Sequence, residues 1–97
     1  MTGPPPNGAA MDIPDETIAD LTRRLRRVEG QVRGVQQMLA EGRDCGDVVT
    51  QISAATKALE QAGFLLIASG MTWCLTHPDE ADDDAVERMQ RMFMKLA

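Results

Sequence analysis

The sequence predicts an all-α domain, and three observations carry that prediction. Apolar residues recur with an alternating three- and four-residue spacing through most of the chain, prolines fall in the N-terminal tail, in a first turn or after a helix, and no segment alternates with the period of two that marks a strand. A length of 97 residues corresponds to one domain, and a hydrophobic content of 43% is ordinary for a globular protein. Only three aromatic residues, Phe64, Trp73 and Phe93, serve the whole core. A small domain with so few large side chains buries little area alone, so an obligate oligomer is expected.

Residues 1–11, "MTGPPPNGAAM", are rich in Pro, Gly and Ala and read as a disordered tail; the helical domain spans 12–97. The tail lacks the positive and apolar regions of a secretory signal. The longest apolar run, "AGFLLIASGM", is too short to span a bilayer, so a soluble cytoplasmic protein with no membrane partner is expected. From Asp12 the pattern turns helical, with Pro14 tolerated in a first turn and Asp15 and Glu16 near the positive end of the dipole. Ile18, Leu21, Leu25, Val28, Val32, Val35 and Leu39 then form an unbroken heptad seam that ends near Gly42. A second helix is predicted from Asp44 or Cys45 to about Thr76, stopped by Pro78. Its apolar residues, from Val48 to Ile67, cover more than one stripe, which requires several neighbours. The acidic segment "HPDEADDD" should open a third helix, in which Val86, Met89, Phe93 and Leu96 repeat the heptad spacing and Arg88, Arg91 and Lys95 suit the dipole.

The formal net charge of −5 argues against a nucleic-acid partner when taken in bulk. Its distribution argues otherwise. Between Leu21 and Arg43 six arginines stand against Glu29 and Glu41, a local excess of +4. At about 100° per residue, Arg23, Arg26, Arg27 and Arg33 lie opposite the heptad seam, together with Gly30 and Gly34, and Arg24 flanks them. Guanidinium forks suit phosphate oxygens, and glycines on the same face would let a phosphate backbone come close. A face of charges opposite a core seam is also what simple solvation produces. No helix-turn-helix, zinc-finger or sheet-type RNA module is recognisable.

Cys45 and Cys74 stand 29 residues apart. Along one helix that is about 44 Å, so they cannot meet within a chain, yet the same count returns to within about 20° of the starting direction. Both thiols therefore project from one face at opposite ends of the helix. An antiparallel pair of such helices about a two-fold axis brings Cys45 of one subunit to Cys74 of the other, twice. The bland alternative is two small buried hydrophobes. A helix N-terminus favours the thiolate of Cys45, while Asp44 and Asp47 oppose it. His77 completes a Cys74-x-x-His77 pair, a weak metal signal that a surface histidine before Pro78 explains equally.

The segments "RLRRVEGQVRGVQQML" and "DCGDVVTQISAATKALEQAGFLLI", followed by a cysteine 29 residues after the first, resemble the CsoR/RcnR family of copper-, nickel- and thiol-responsive repressors over about Leu21 to Leu75. The resemblance implies an antiparallel four-helix-bundle dimer that pairs into a disc-like tetramer, and operator DNA binding that is lost when an inducer engages the intersubunit cysteine site. It also implies that Cys45 and Cys74 are the family's two thiols and that Arg24 falls on a basic position implicated in DNA binding. One departure stands out. The copper sensors of the family carry a histidine four residues before the second cysteine, where this chain has Gly70; their tyrosine before the first cysteine is Asp44 here, and a supporting glutamate aligns with Gln90. The family's persulfide-sensing branch also lacks that histidine.

The expectation is therefore a homotetrameric repressor with no required cofactor, relieved by reactive sulfur or another thiol-reactive inducer at Cys45 and Cys74. The alternative is a copper(I) sensor that uses Cys45, Cys74 and His77 or an exogenous third ligand. A metal or sulfur carrier that binds no DNA is a third class, for which the arginines would serve solubility. No other acid, base or nucleophile constellation suggests an enzyme.

Overall fold

A computed structural model describes residues 13–81 and 83–97 as three helices, α1 (Asp15–Ala40), α2 (Cys45–Thr76) and α3 (Ala85–Leu96). The expected tail, 1–11, lies outside the described residues. Each helix boundary has a local cause. Pro14 disfavours the α region at Ile13, so α1 begins at Asp15, and the Pro14 carbonyl accepts from the N–H groups of Thr17 and Ile18 at 2.9 and 3.0 Å. At the other end Gly42 adopts φ 68°, its N–H donates to the Leu39 carbonyl, and the Arg43 N–H donates to the Met38 carbonyl. That pair of bonds is a Schellman motif, and it reverses the chain within four residues. Asp44 then caps α2, its Oδ2 accepting from the Gly46 N–H at 2.9 Å. The third helix starts later than the acidic run suggested. Residues 77–81 form a turn in which Glu80 and Ala81 donate to the His77 carbonyl, and Asp84 stands at the N-cap with its carboxylate paired to Arg88 at 2.8 Å.

Both α1 and α3 pack on α2 and not on each other. The α2–α3 register is antiparallel: Cys74 shares a cluster with Ala85, Phe64 meets Phe93 at 5.2 Å between ring centres, and Gly63 lies under Leu96. A side chain at Gly63 would not fit as the structure stands, since an added Cβ would come within 2.5 Å of Leu96 Cδ2.

The α1 seam divides between two neighbours. Val28 is buried, and Leu21 and Val35 are half-buried. Ile18, Leu25, Val32 and Leu39, spaced seven apart, stay 45–63% exposed. On α2 the same spacing recurs in Ile52, Leu59 and Leu66, each about half exposed. Val32, Ile52 and Leu59 line one open groove of about 260 Å³ with Val28, Val35 and Ala55, so the uncovered seams of the two helices share a side. Among the described residues no large side chain is fully enclosed, and the radius of gyration is 17.1 Å against about 13 Å for a compact domain of this length. An apolar surface at heptad spacing that none of the described residues covers is what a bundle lacking its other helices looks like.

One expectation needs amending. By length and composition alone, the 32-residue α2 is long and apolar enough to cross a bilayer. Polar residues interrupt its apolar stretches, so no single run in the sequence is long enough. Lys57 and Glu60 stand at mid-helix, where a bilayer would disfavour them, and α1 and α3 pack along the same helix.

Candidate functional site

Two surfaces carry chemistry, and α1 and α2 position one each. On α1, Arg26, Arg27 and Arg33 are exposed and make no ion pair among the described residues. Arg23 and Arg24 differ. Asp20 lies one turn earlier and meets both, with its Oδ1 3.8 Å from Arg23 Nη2 and 3.3 Å from Arg24 Nε. Arg24 is also half-buried, because it sits on the side of α1 that turns toward α2. Asp20 lies just before the Leu21–Arg43 run and adds an acidic partner to it, one that i,i+3 and i,i+4 spacing reveals. Such pairs, within reach of solvent, contribute little to stability and leave both guanidinium groups able to exchange partners.

On α2 the two thiols stand in unlike surroundings. Cys45 is the first residue of the helix and is exposed. The carboxylates expected to oppose it are both engaged, Asp44 by the Gly46 N–H and Asp47 by Arg43 at 3.7 Å. Cys74 is 4% exposed and packs with Trp73 and Ala85, with Ala81 against the cluster. Cys45 continues the exposed seven-residue series of Ile52, Leu59 and Leu66, whereas the next position of that series is Trp73 and the neighbouring Cys74 is buried. Gly70, one turn before Cys74, is buried and offers no side chain.

His77 ends α2, and its own N–H donates to the Trp73 carbonyl at 2.9 Å. Its ring stacks on the Trp73 indole at 4.8 Å and 10°, and Nδ1 lies 3.1 Å from the same carbonyl and 3.0 Å from Thr76 Oγ1. Donation from Nδ1–H to that carbonyl puts the ring's lone pair on Nε2, the nitrogen a metal would take. Capping and stacking give the histidine a structural occupation as well. Within one chain, and among the described residues, no three His, Cys, Asp or Glu side chains converge to hold a metal.

Comparison with known proteins places this geometry. A family model described as metal-sensitive transcriptional repressor matches residues 17–95, which include both cysteines and the arginine face. The copper-sensing transcriptional repressor RicR of Mycobacterium tuberculosis is 50% identical over 54 residues; the match spans 56% of this chain and just over half, 56%, of that relative. The copper-sensing transcriptional repressor CsoR of Bacillus subtilis is 34% identical over 78 residues, 78% of this chain and 77% of CsoR. Among solved structures, the copper-sensing repressor CsoR with Cu(I) from Geobacillus thermodenitrificans NG80-2 superposes with a TM-score of 0.70 at 34% identity, covering 91% of this chain and 90% of that one. The nickel-responsive transcriptional regulator InrS gives a TM-score of 0.72 at 24% identity, covering 91% and 99%, a likeness of fold. The all-α, three-helix subunit inferred from heptad spacing is thus the fold of these repressors, and the chain belongs to the metal-sensitive transcriptional repressor family.

Proposed function

We propose that the protein is a cytoplasmic homo-oligomeric repressor that holds operator DNA on the arginine face of α1 and releases it when an inducer engages Cys45 and Cys74 of the partner subunit. Family membership supports the repressor, and the uncovered seam supports the oligomer. Antiparallel pairing of α2 about a two-fold axis covers the stripe of Ile52, Leu59 and Leu66 and carries each exposed Cys45 toward the end of the partner helix that holds Cys74.

The observation that carries the choice of inducer is Gly70. Where the family's copper sensors have a histidine, the buried backbone of α2 presents no donor, so two thiols are the complete set on this face. Sulfur chemistry needs no more than that. The exposed Cys45 thiolate attacks a polysulfide, takes one sulfur and expels a polysulfide shorter by one. The thiolate of Cys74 of the partner subunit then attacks the sulfur bonded to the Cys45 carbon and expels hydrosulfide. A disulfide joins the subunits, and the polysulfide is the oxidant. Because Cys74 packs under Ala85, the second step requires α3 to give way at its first turn, which couples the cross-link to the shape of the assembly.

Copper(I) is the second reading, favoured by the two copper-sensing relatives. Two thiolates match a soft monovalent ion, and His77 Nε2 is the nearest imidazole donor in sequence to Cys74. Gel-shift assays on DNA from upstream of the protein's own gene, with polysulfide and copper(I) added separately, decide between them. Release by polysulfide with a dimer on non-reducing gels supports the sulfur reading. Release by stoichiometric copper(I) alone overturns it, and no shift of that DNA under any condition points to the carrier class.

A further inference from the structure

Gly30 occupies the middle of a 26-residue helix, where glycine is a poor choice because it orders at a high entropic cost and packs nothing. Three internal reasons could justify it, and the structure supplies none. Among the described residues only Gly42 has a positive φ, so Gly30 is not required by its backbone. A Cβ built at Gly30 meets nothing within 4 Å, so no element of the chain needs the space. Gly63, crowded by Leu96, shows what that need looks like, and Gly34 already brings a Cβ to 4.0 Å from Gln51 Nε2. Nor does Gly30 face the uncovered seam, since at about 100° per residue it points about 160° away from Val32 and about 140° away from Leu25. A second copy seated on the seam would not touch it.

What does surround Gly30 is the cationic face. Arg23, Arg26, Arg27 and Arg33 all lie within about 60° of it, two on each side, and three of the four make no ion pair among the described residues. The missing side chain leaves a floor of bare helix inside a rim of guanidinium groups. We propose that Gly30 is the seat of a DNA phosphate on α1: the backbone of duplex DNA enters at the glycine, and the four arginines close on its oxygens. This rests on the reading of the arginine face as the DNA surface and adds to it the point of closest approach. The requirement is steric: a methyl group on the floor lifts the phosphate by roughly a bond length, about 1.5 Å, and lengthens the charge-assisted bonds from both sides at once.

The test is fluorescence anisotropy of the full-length protein on a labelled duplex from upstream of its own gene and on a random duplex of equal length at low salt. Phosphate contacts are sequence-independent, so both probes report them. Gly30→Ala should unfold at a higher temperature than wild type, keep the oligomeric mass and bind both duplexes about tenfold more weakly, with Gly30→Leu weaker still. If the Gly30 variants bind like wild type while Arg26→Ala combined with Arg33→Ala loses affinity, the seat is wrong and the DNA face stands. If all of these variants bind like wild type, the face is wrong and the seat falls with it. A Gly30→Ala protein that unfolds earlier or changes mass assigns the glycine to folding or assembly, which also overturns the proposal.

Discussion

Leu59 offers the sharpest test of the assembly that the cysteine site requires. It sits at the middle of the uncovered α2 stripe, beside Val32 and Ile52 in the open groove, and is 51% exposed in the single chain. Complete burial of a leucine side chain is worth about 1.5–3 kcal/mol, so the uncovered half represents about 1 kcal/mol still to be gained on association. A two-fold interface counts each substitution twice. Leu59→Ala should therefore weaken the dimer by about 2 kcal/mol, about 30-fold in dissociation constant. Leu59→Asp should do far more, because two carboxylates would be desolvated in an apolar seam at a cost of several kcal/mol each. Sedimentation velocity over a dilution series reads the dissociation directly, and the thermal midpoint should fall with dilution for Leu59→Ala, as it does for a subunit stabilised by mass action. Lys57→Ala, two residues away and exposed, serves as the neutral comparison. If Leu59→Asp keeps the wild-type mass and midpoint at every concentration, this stripe is not the interface, and the pairing of Cys45 with Cys74 of the partner subunit loses its geometric basis.

Arg26→Ala combined with Arg33→Ala should weaken DNA binding without loss of helical content, and the slope of log affinity against log salt should flatten by about 0.9 for each phosphate contact removed; an unchanged slope would place the DNA elsewhere. Cys45→Ala should bind DNA as wild type does yet remain bound in polysulfide, with no dimer on non-reducing gels, whereas release of this variant would show that the inducer acts at another residue. Gly42→Ala should destabilise the fold by about 1 kcal/mol, since φ 68° is strained for any residue with a Cβ; a rise in urea midpoint instead would mean that the Schellman turn does not hold in solution. Asp44→Ala, which removes the acceptor for the Gly46 N–H, should cost about 1 kcal/mol by the same measurement, and no change would show that water caps α2 equally well.

The sequence by itself determined the three helices and most of their limits, because the signals are local. Heptad spacing marks the apolar faces, Pro14 and Pro78 bound what can be helical, and Gly42 supplies the one positive φ that the α1–α2 turn needs. Counting residues around a regular helix gives Cys45 and Cys74 nearly the same direction, but it says nothing of their surroundings: Cys45 is exposed and Cys74 is buried. Tertiary structure decided what counting cannot reach. Leu21 and Leu25 look alike in the heptad, and only the docking of α2 makes one half-buried and leaves the other exposed. Arg24 and Arg27 look alike in the basic run, and only the tilt of that face toward α2 half-covers the first. Cys74 is closed over by Ala85, eleven residues away in sequence, because the turn after α2 brings α3 back along it. Burial is a property of residues that become neighbours only when helices pack, so the periodicity of one helix names its apolar face without saying which neighbour will cover it.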